Sequence, residues 1–291
     1  METLSWEYQW RLMRADGFMD AVGGKDCLTS SSEALVKLRA REAIDSFFFF
    51  FSRFYFYQVP AFLQTASMRF SAPITALAAL ASTATANIVN LGSAVSYGVV
   101  AGSAGITSAG LTVVTGNVGT TAMTISGFGP GIVTGTQNLG NSAGILAFTD
   151  GSLAYAQAKG ITPFTDISTL NDLTGKTVYP GVYGSATSIS LTGQLFLDAK
   201  GNASATWVFQ MGTALLINLG SSIVLTNGAK PCNVFWQVGS SATIEVGTAF
   251  QGNVLAYGGV AVKTSASVKG LLYAKTQSVT LQGNAVTRQT C

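Results

Sequence analysis

The 291-residue chain contains no histidine, six prolines and three cysteines, and only 10% of its residues are charged. Ordinary globular domains carry about 25% charged residues, so the surface is unusually neutral. The lack of histidine removes the commonest general base and the commonest metal ligand. A formal charge of +3 with no basic cluster gives little attraction for nucleic acid or an anionic membrane. The scarcity is uneven. Residues 1–86 hold 8 basic and 8 acidic residues, whereas residues 87–291 hold 8 basic and 5 acidic residues with 30 of the 33 glycines and 26 threonines.

The acidic residues after position 86 are Asp150, Asp166, Asp172, Asp198 and Glu245. Polysaccharide-cleaving chemistry needs paired carboxylates or a base with a metal. No such pair, zinc-ligand spacing or nucleophile with a base stands out, so the reading is a non-enzyme with no metal and no cofactor. "TGNVG" at Thr115–Gly119 is a turn, because no Lys-Ser/Thr follows it as in a phosphate loop.

Three pieces make up the front of the chain. Residues 1–46 are mixed and charged, with a helical pattern over Ser31–Ile44. An aromatic run, "FFFFFSRFYFYQVPAFL", covers Phe47–Leu63 and is broken by Arg53 and Pro60. Then "MRFSAPITALAALASTATA", Met68–Ala86, has the parts of a secretory signal. These are a Met start, Arg69, a short apolar stretch and a small-residue end at Ala84-Thr85-Ala86. At about a dozen residues the apolar stretch is too short to span a bilayer. The expectation is an N-terminal extension over 1–67 outside the mature fold, a signal peptide over 68–86 and a secreted domain over 87–291. Contact with a membrane is then transient, through the signal segment alone.

The domain itself is built of short alternating strands. "TVVTGNVG", "SISLTGQLFLDAKGN", "SSIVLTNGA", "SATIEVG", "GVAVKTSAS" and "SVTLQGNAV" have period two and are separated by Gly and Asn turns. Phe250, Val268 and Val286 are 18 residues apart, as are Gly252 and Gly270, and Thr248, Ala266 and Asn284 keep the same step. A step near 18 fits one turn of a three-sided β-helix. Phe209, Phe235, Trp207, Trp236 and Val254 read as packing residues of such a solenoid. "GILAFTDGSLAYAQAKG" at Gly144–Gly160 breaks the pattern. It reads as a helix capped by Thr149 or Asp150, with Leu146, Leu153 and Ala154 on the packed side and Gly160 as its stop.

From about Leu91 to Cys291 the chain resembles the microbial ice-binding (antifreeze) proteins built on an irregular β-solenoid. The matching stretches include "LGSAVSYGVVAGSAGITSAGLTVVTGNVGT", "ISGFGPGIV", "LAYAQAKG", "DLTGKTVYPGVY", "LTGQLFLDAKGNASATWVFQMGT", "CNVFWQVGSSATI", "FQGNVLA", "VKGLLYA" and "SVTLQGNAVT". The resemblance implies a mainly β fold, a right-handed triangular β-helix of about six coils, with one long α-helix alongside. It implies that the first coil, around Ile106–Gly119, stacks on the last rather than on its sequence neighbour. It also implies an extracellular monomer whose partner is the ice crystal surface. The other reading of an uncharged β-solenoid is an adhesive cell-surface protein.

Alternation puts Thr243 with Glu245, Ala261 with Lys263, and Thr280 with Gln282 outward on the second strand of each late coil. Ser188, Ser190, Val224 and Thr226 are the upstream candidates. The following corner, related to a Thr-Gly-x-Thr pattern of the family, adds Thr248 and Thr264. The candidate ice-contacting set is therefore Ser188, Ser190, Thr226, Thr243, Thr248, Ala261, Thr264, Thr280 and Gln282, with Glu245 and Lys263 as charged departures. Secretion favours pairing of Cys232 with Cys291. Coil spacing sets them about 14 Å apart, unless the five residues after Val286 run back. Pairing and two separate thiols both stay open.

Overall fold

A computed structural model describes residues 89–291. The extension expected at 1–67 and the signal expected at 68–86 lie outside the described residues. From Tyr97 the chain winds through three parallel sheets, visiting each in turn. One turn runs Val234–Val238, Ala242–Ile244, Ala249–Gln251 and then back to the first sheet at Asn253–Ala256. Sheet 1 has nine strands, sheet 2 seven and sheet 3 eight. Each side of the triangle is thus a ladder in which every coil hydrogen-bonds to the next.

The 18-residue step becomes direct stacking. Phe250 lies opposite Val268, Val268 opposite Val286, and Val286 opposite Val114. All four are buried. Inside sheet 1 an aromatic ladder fills the lumen: Tyr183 stacks on Phe209 at 5.5 Å and Phe209 on Trp236 at 4.1 Å between ring centroids. The indole nitrogens stay satisfied, Trp207 donating to the Val178 carbonyl and Trp236 to that of Gln251, each at 3.1 Å. Asn253 sits at a corner with its side chain buried, donating to the Val234 carbonyl at 3.1 Å and accepting from Leu271 N at 3.0 Å. Gly270 must be glycine there. Its φ is +152°, and a Cβ would collide with the Gly252 carbonyl of the coil below.

The winding order differs from the stacking order. Tyr97–Ala101 pairs with Leu272–Ala274 on one side and Asn117–Thr120 on the other. Ile106–Ala109 and Val113–Thr115 likewise stack on Val279–Gln282 and Ala285–Thr287. The first coil therefore does sit on the last one, but the expectation that it does so in place of its sequence neighbour is corrected. The following coil stacks on its other side, through Asn117–Thr120, Ile125–Ser126 and Ile132–Val133.

Helix α1 (Ser142–Gly160) makes the return trip. It leaves the Gln137–Leu139 end of sheet 1, and the chain re-enters at Thr165–Asp166 at the other end. Its 19 residues span about 28 Å at 1.5 Å each, most of the roughly 38 Å that eight inter-strand steps require. The helix is held close by a stripe of small residues, with Gly144, Ala147, Gly151, Ala154 and Ala158 all buried. A Cβ at Gly151 would strike the Tyr273 ring, so the residue that weakens the helix in sequence is what permits its approach.

Two sequence expectations about this helix are corrected. The cap is Asn141, whose Oδ1 accepts from Gly144 N at 2.9 Å; Thr149 and Asp150 lie within the helix. Leu146 and Leu153 face outward, 54% and 57% exposed, because the sheet selects the small-residue stripe and not the bulky one. At the far end, Gln210 donates to the carbonyls of Ala158 and Ile161 at 2.7 and 3.0 Å, closing the helix C-terminus. Phe235 also differs from its four companions: it packs beneath the helix with Val208, Leu255 and Tyr273, outside the lumen.

Cys232 and Cys291 are joined in a disulfide, with Cα atoms 6.0 Å apart. Three steps of sheet 3 separate the Ala285–Thr287 strand from Ser222–Thr226, the strand that leads to Cys232. The tail after Val286 covers that rise, so the open question closes in favour of pairing. Cross-linking a loop of this size removes up to about 4 kcal/mol of unfolded-state entropy.

Burial beneath the helix pushes the Tyr273 phenol up to about 12, with the Ser152 hydroxyl partly opposing the rise. The folded state therefore holds its proton more tightly than the unfolded chain. Stability should be full below pH 10 and should fall as pH rises toward 12. Denaturant titrations across that window should show a shallower decline for Tyr273→Phe. Burial also raises Tyr97, Tyr155 and Tyr183, so some slope should persist.

Candidate functional site

Helix α1 covers the outer side of sheet 1, which leaves sheets 2 and 3 as the flat sides open to solvent. On both, alternate residues point inward and the others form outward rows across the coils. The central row of sheet 2 runs Ser126, Thr107, Thr280, Ala261, Thr243, Leu216, Ser190, each the direct register partner of the next. Five of these seven residues carry a hydroxyl and none carries a charge. The equivalent row of sheet 3 is Ile132, Val113, Ala285, Ser267, Ala249, Ser222, Gln194, with two hydroxyls. Both sides carry charge in the neighbouring row, Lys269 on sheet 3 and Glu245 with Lys263 on sheet 2. Sheet 2 is the more regular hydroxyl surface.

The backbone holds this row rigid. Neighbouring members stand about 4.8 Å apart, set by strand hydrogen bonding, and the next row on the same strands lies about 6.6 Å away. Except at Ser126, whose neighbours Ile125 and Gly127 are not buried, the residues on either side of each member are buried: Ala242 and Ile244 flank Thr243, Val260 and Val262 flank Ala261, and Val279 and Leu281 flank Thr280. Each of these outward side chains is thus fixed between two core anchors. The row ends at Asp172, bridged to Ser190. Partial burial raises the pKa of that carboxyl, but hydrogen bonds from Thr174 and Thr192 outweigh it and hold the group below the usual carboxylate range.

The structure brings together Ser190, Thr243, Ala261 and Thr280 from the candidate set. Gln282 is in the next row, partnered with Ala109 and two residues on from Thr280. Ser188 stands at the edge, its Oγ 2.8 Å from Thr213 Oγ1. Thr264 is exposed at the corner beyond the strand. Two candidates are elsewhere. Thr226 belongs to sheet 3, partnered with Asp198, and its hydroxyl donates to the Leu197 carbonyl at 3.3 Å. The longer stretch between Ser222 and Cys232 makes its strand look like a second-side strand in sequence. Thr248 is 1% exposed and donates to the Glu245 carbonyl at 2.6 Å. The 18-residue step groups it with buried Ala266 and Asn284, which fixes the corner as inward.

Thr107 and Ser126 were missed. The signal was present in "ITSA", Ile106–Ala109, which alternates as the late strands do, but its place in the row depends on the first coil stacking on the last. Leu216 was missed because 26 residues, not 18, separate it from Ser190 in the chain.

A triangular stack of parallel strands, with one side covered by a helix and one presenting a neutral row of hydroxyls, defines a β-solenoid of surface-binding type. Residues 100–287 match the family model described as Ice-binding-like, and the chain belongs to that family. An ice-binding protein of Nostoc sp. (strain HG1) is 40% identical over 203 residues, covering 69% of this chain and 74% of the relative. One from Flavobacterium frigoris (strain PS1) is 31% identical over 222 residues, covering 70% and 77%. Among solved structures, the ice-binding protein of the Antarctic ascomycete Antarctomyces psychrotrophicus superposes with a TM-score of 0.67 at 41% identity. It covers 69% of this chain and 98% of its own. The ice-binding domain from Shewanella frigidimarina gives 0.63 at 29% identity, covering 69% and 97%.

The burial of Thr248 makes it a structural residue. Thr248→Val should lower unfolding free energy by about 1 kcal/mol, the net worth of one hydrogen bond, as read by urea titration, while the central row of sheet 2 keeps its order.

Proposed function

We propose that the protein adsorbs to ice through sheet 2 and so inhibits ice growth and recrystallisation. The observation that carries this reading is the seven-residue uncharged row, locked in register by the strands on either side. A row of hydroxyls and methyls at fixed strand spacing is a template for ordered water. Each hydroxyl joins the hydrogen-bond lattice, and each methyl limits the directions in which the water beside it can turn. One anchored water contributes little, so the area must sum many weak contacts. A rigid face helps because it loses little entropy on adsorption. Ice then grows only as curved fronts between adsorbed molecules, and curvature makes that growth less favourable.

The carboxylates support an adsorbing protein over an enzyme. Asp150 is held by Ser93, Asp166 by Ser168, Asp172 by Thr174 and Thr192, and Asp198 by Lys200 and Asn227. All four fasten turns or the helix. One chain supplies the complete row, so the reading is of a monomer with ice as its partner.

Thr243→Tyr and Thr280→Tyr each raise a ring above the plane at its centre. Together they should weaken ice shaping and recrystallisation inhibition about tenfold, equivalent to ~1.4 kcal/mol of adsorption. Ser267→Tyr on sheet 3 should leave both intact. Full activity in the sheet 2 variant would move the binding side.

The same reading places the protein outside the cell, delivered by the signal at 68–86. Among the described residues no helix is long and apolar enough to cross a membrane. Mass spectrometry of the secreted protein should find Asn87 at its N-terminus; a mature chain beginning upstream of Met68 would refute the signal.

A further inference from the structure

Asn202-Ala203-Ser204 is the one place in the chain where asparagine is followed, two residues later, by serine or threonine without an intervening proline. Such a triplet is an acceptor for N-linked oligosaccharide when it is displayed on a secreted surface. Most other asparagines of the domain are tied into the solenoid. Asn253 and Asn284 are buried at corners, and Asn141 caps the helix. Asn202 instead lies in the turn that leads from Gln194–Asp198 of sheet 3 to Trp207–Met211 of sheet 1, and Gly201, Asn202, Ala203 and Ser204 are all exposed.

We infer that Asn202 is an N-glycosylation site, and that its carbohydrate stands on the corner turned away from the ice-contacting side. The side-chain arrangement suits the acceptor role. Oδ1 accepts from Ser204 N at 2.9 Å, which folds the hydroxyl-bearing residue back toward the amide. Among the described residues neither Asn202 Nδ2 nor Ser204 Oγ has a hydrogen-bond partner, so both atoms of the recognised pair are free. The turn beneath them is fastened, with Gly201 N donating to the Asn227 carbonyl at 2.9 Å and Asn233 Nδ2 to that of Ala203 at 3.2 Å. A glycan there grows from a fixed base.

The transfer uses a polyprenyl-diphosphate-linked oligosaccharide. The sugar C1–O bond to the diphosphate breaks, a C1–N bond forms at Asn202 Nδ2, the amide releases one proton and the polyprenyl diphosphate departs. Nothing is oxidised or reduced. In cross-section the corner between sheets 3 and 1 is the one opposite sheet 2. The hydrated chain is therefore kept off the row from Ser126 to Ser190, where its hydroxyls would hold water out of the lattice. It also rises beside the corner occupied by Cys232 and the tail that ends at Cys291.

The inference rests on the secreted reading, and the experiment separates the two. The full chain is expressed in a glycosylating eukaryotic host in two forms, behind its own N-terminus and behind an established secretory leader. The secreted protein from the second form should carry one glycan, released by peptide N-glycosidase with conversion of Asn202 to aspartate. The glycan should be absent from Asn202→Gln and Ser204→Ala and retained in Ser204→Thr. Ice shaping should be the same before and after glycan removal. Secreted, folded protein unmodified at Asn202 would overturn the site. A change in ice shaping on deglycosylation would overturn its placement. Failure of the first form alone to be secreted would count against residues 68–86 as a signal and leave Asn202 standing.

Discussion

Parallel, in-register hydrogen bonding between coils is the constraint from which the rest follows. It places each residue directly over its equivalent one coil below, so the interior is filled by ladders of like side chains, such as Phe250, Val268, Val286 and Val114. It also requires corners where the chain turns within very few residues, and these are occupied by glycines of positive φ and by small or hydrogen-bonded side chains. The same hydrogen bonds dictate the outer surface. A residue that points outward has no freedom to leave its row, because its neighbours on both sides are buried. The regular face is thus a by-product of the core, and substitutions in the core would disturb the row without touching it.

The helix settles which faces remain. A parallel solenoid whose first coil stacks on its last needs a long return connection, and a helix crosses the sheet without leaving backbone groups unsatisfied. It covers sheet 1 because that side presents Val100, Val208, Phe235, Leu255 and Tyr273 outward, an apolar strip to match the small-residue face of the helix. Once sheet 1 is covered, hydroxyl content decides between the remaining two. Each carries charge in the row beside its central one, Lys269 on sheet 3 and Glu245 with Lys263 on sheet 2, but the central row of sheet 3 presents isoleucine and valine where that of sheet 2 has hydroxyls. Asp150 shows how the helix is also tied at its edge, accepting from Ser93 N and Oγ at 2.7 and 2.6 Å.

Alternation and the 18-residue step made the solenoid legible, because inward residues of successive late coils are both apolar and equally spaced. They also identified Thr243, Ala261 and Thr280 as one row before any geometry was known. Upstream the step lengthens to 26 and 27 residues, as from Ser190 to Leu216 and from Leu216 to Thr243, and spacing no longer assigns a strand to its side. Thr226 lies in this stretch, and spacing alone does not reveal that its strand belongs to sheet 3. The helix was legible in extent but not in facing, since hydrophobicity points to Leu146 and Leu153 whereas the backbone approach selects glycine and alanine. The disulfide was beyond the reach of register arguments, because it is made by the irregular tail after Val286.

Glu245 and Lys263 bear on how wide the neutral side is. They stand two residues beyond Thr243 and Ala261, in a row that also holds Gln282 and its partner Ala109. They are on adjacent coils and of opposite sign, so their sum is zero, but each head group still orders its own water. The uncharged field therefore stops one row short of that edge. On the opposite edge the positions preceding the central row are Ser188, Ala214, Ser241, Gly259, Ser278 and Gly105, matched across the coils by backbone hydrogen bonds from the residues that follow them. None is charged and all are small. Ice lying on sheet 2 would accordingly be offset toward the corner shared with sheet 1, where two adjacent rows repeat without interruption, and the charged pair would act as the boundary of the contact.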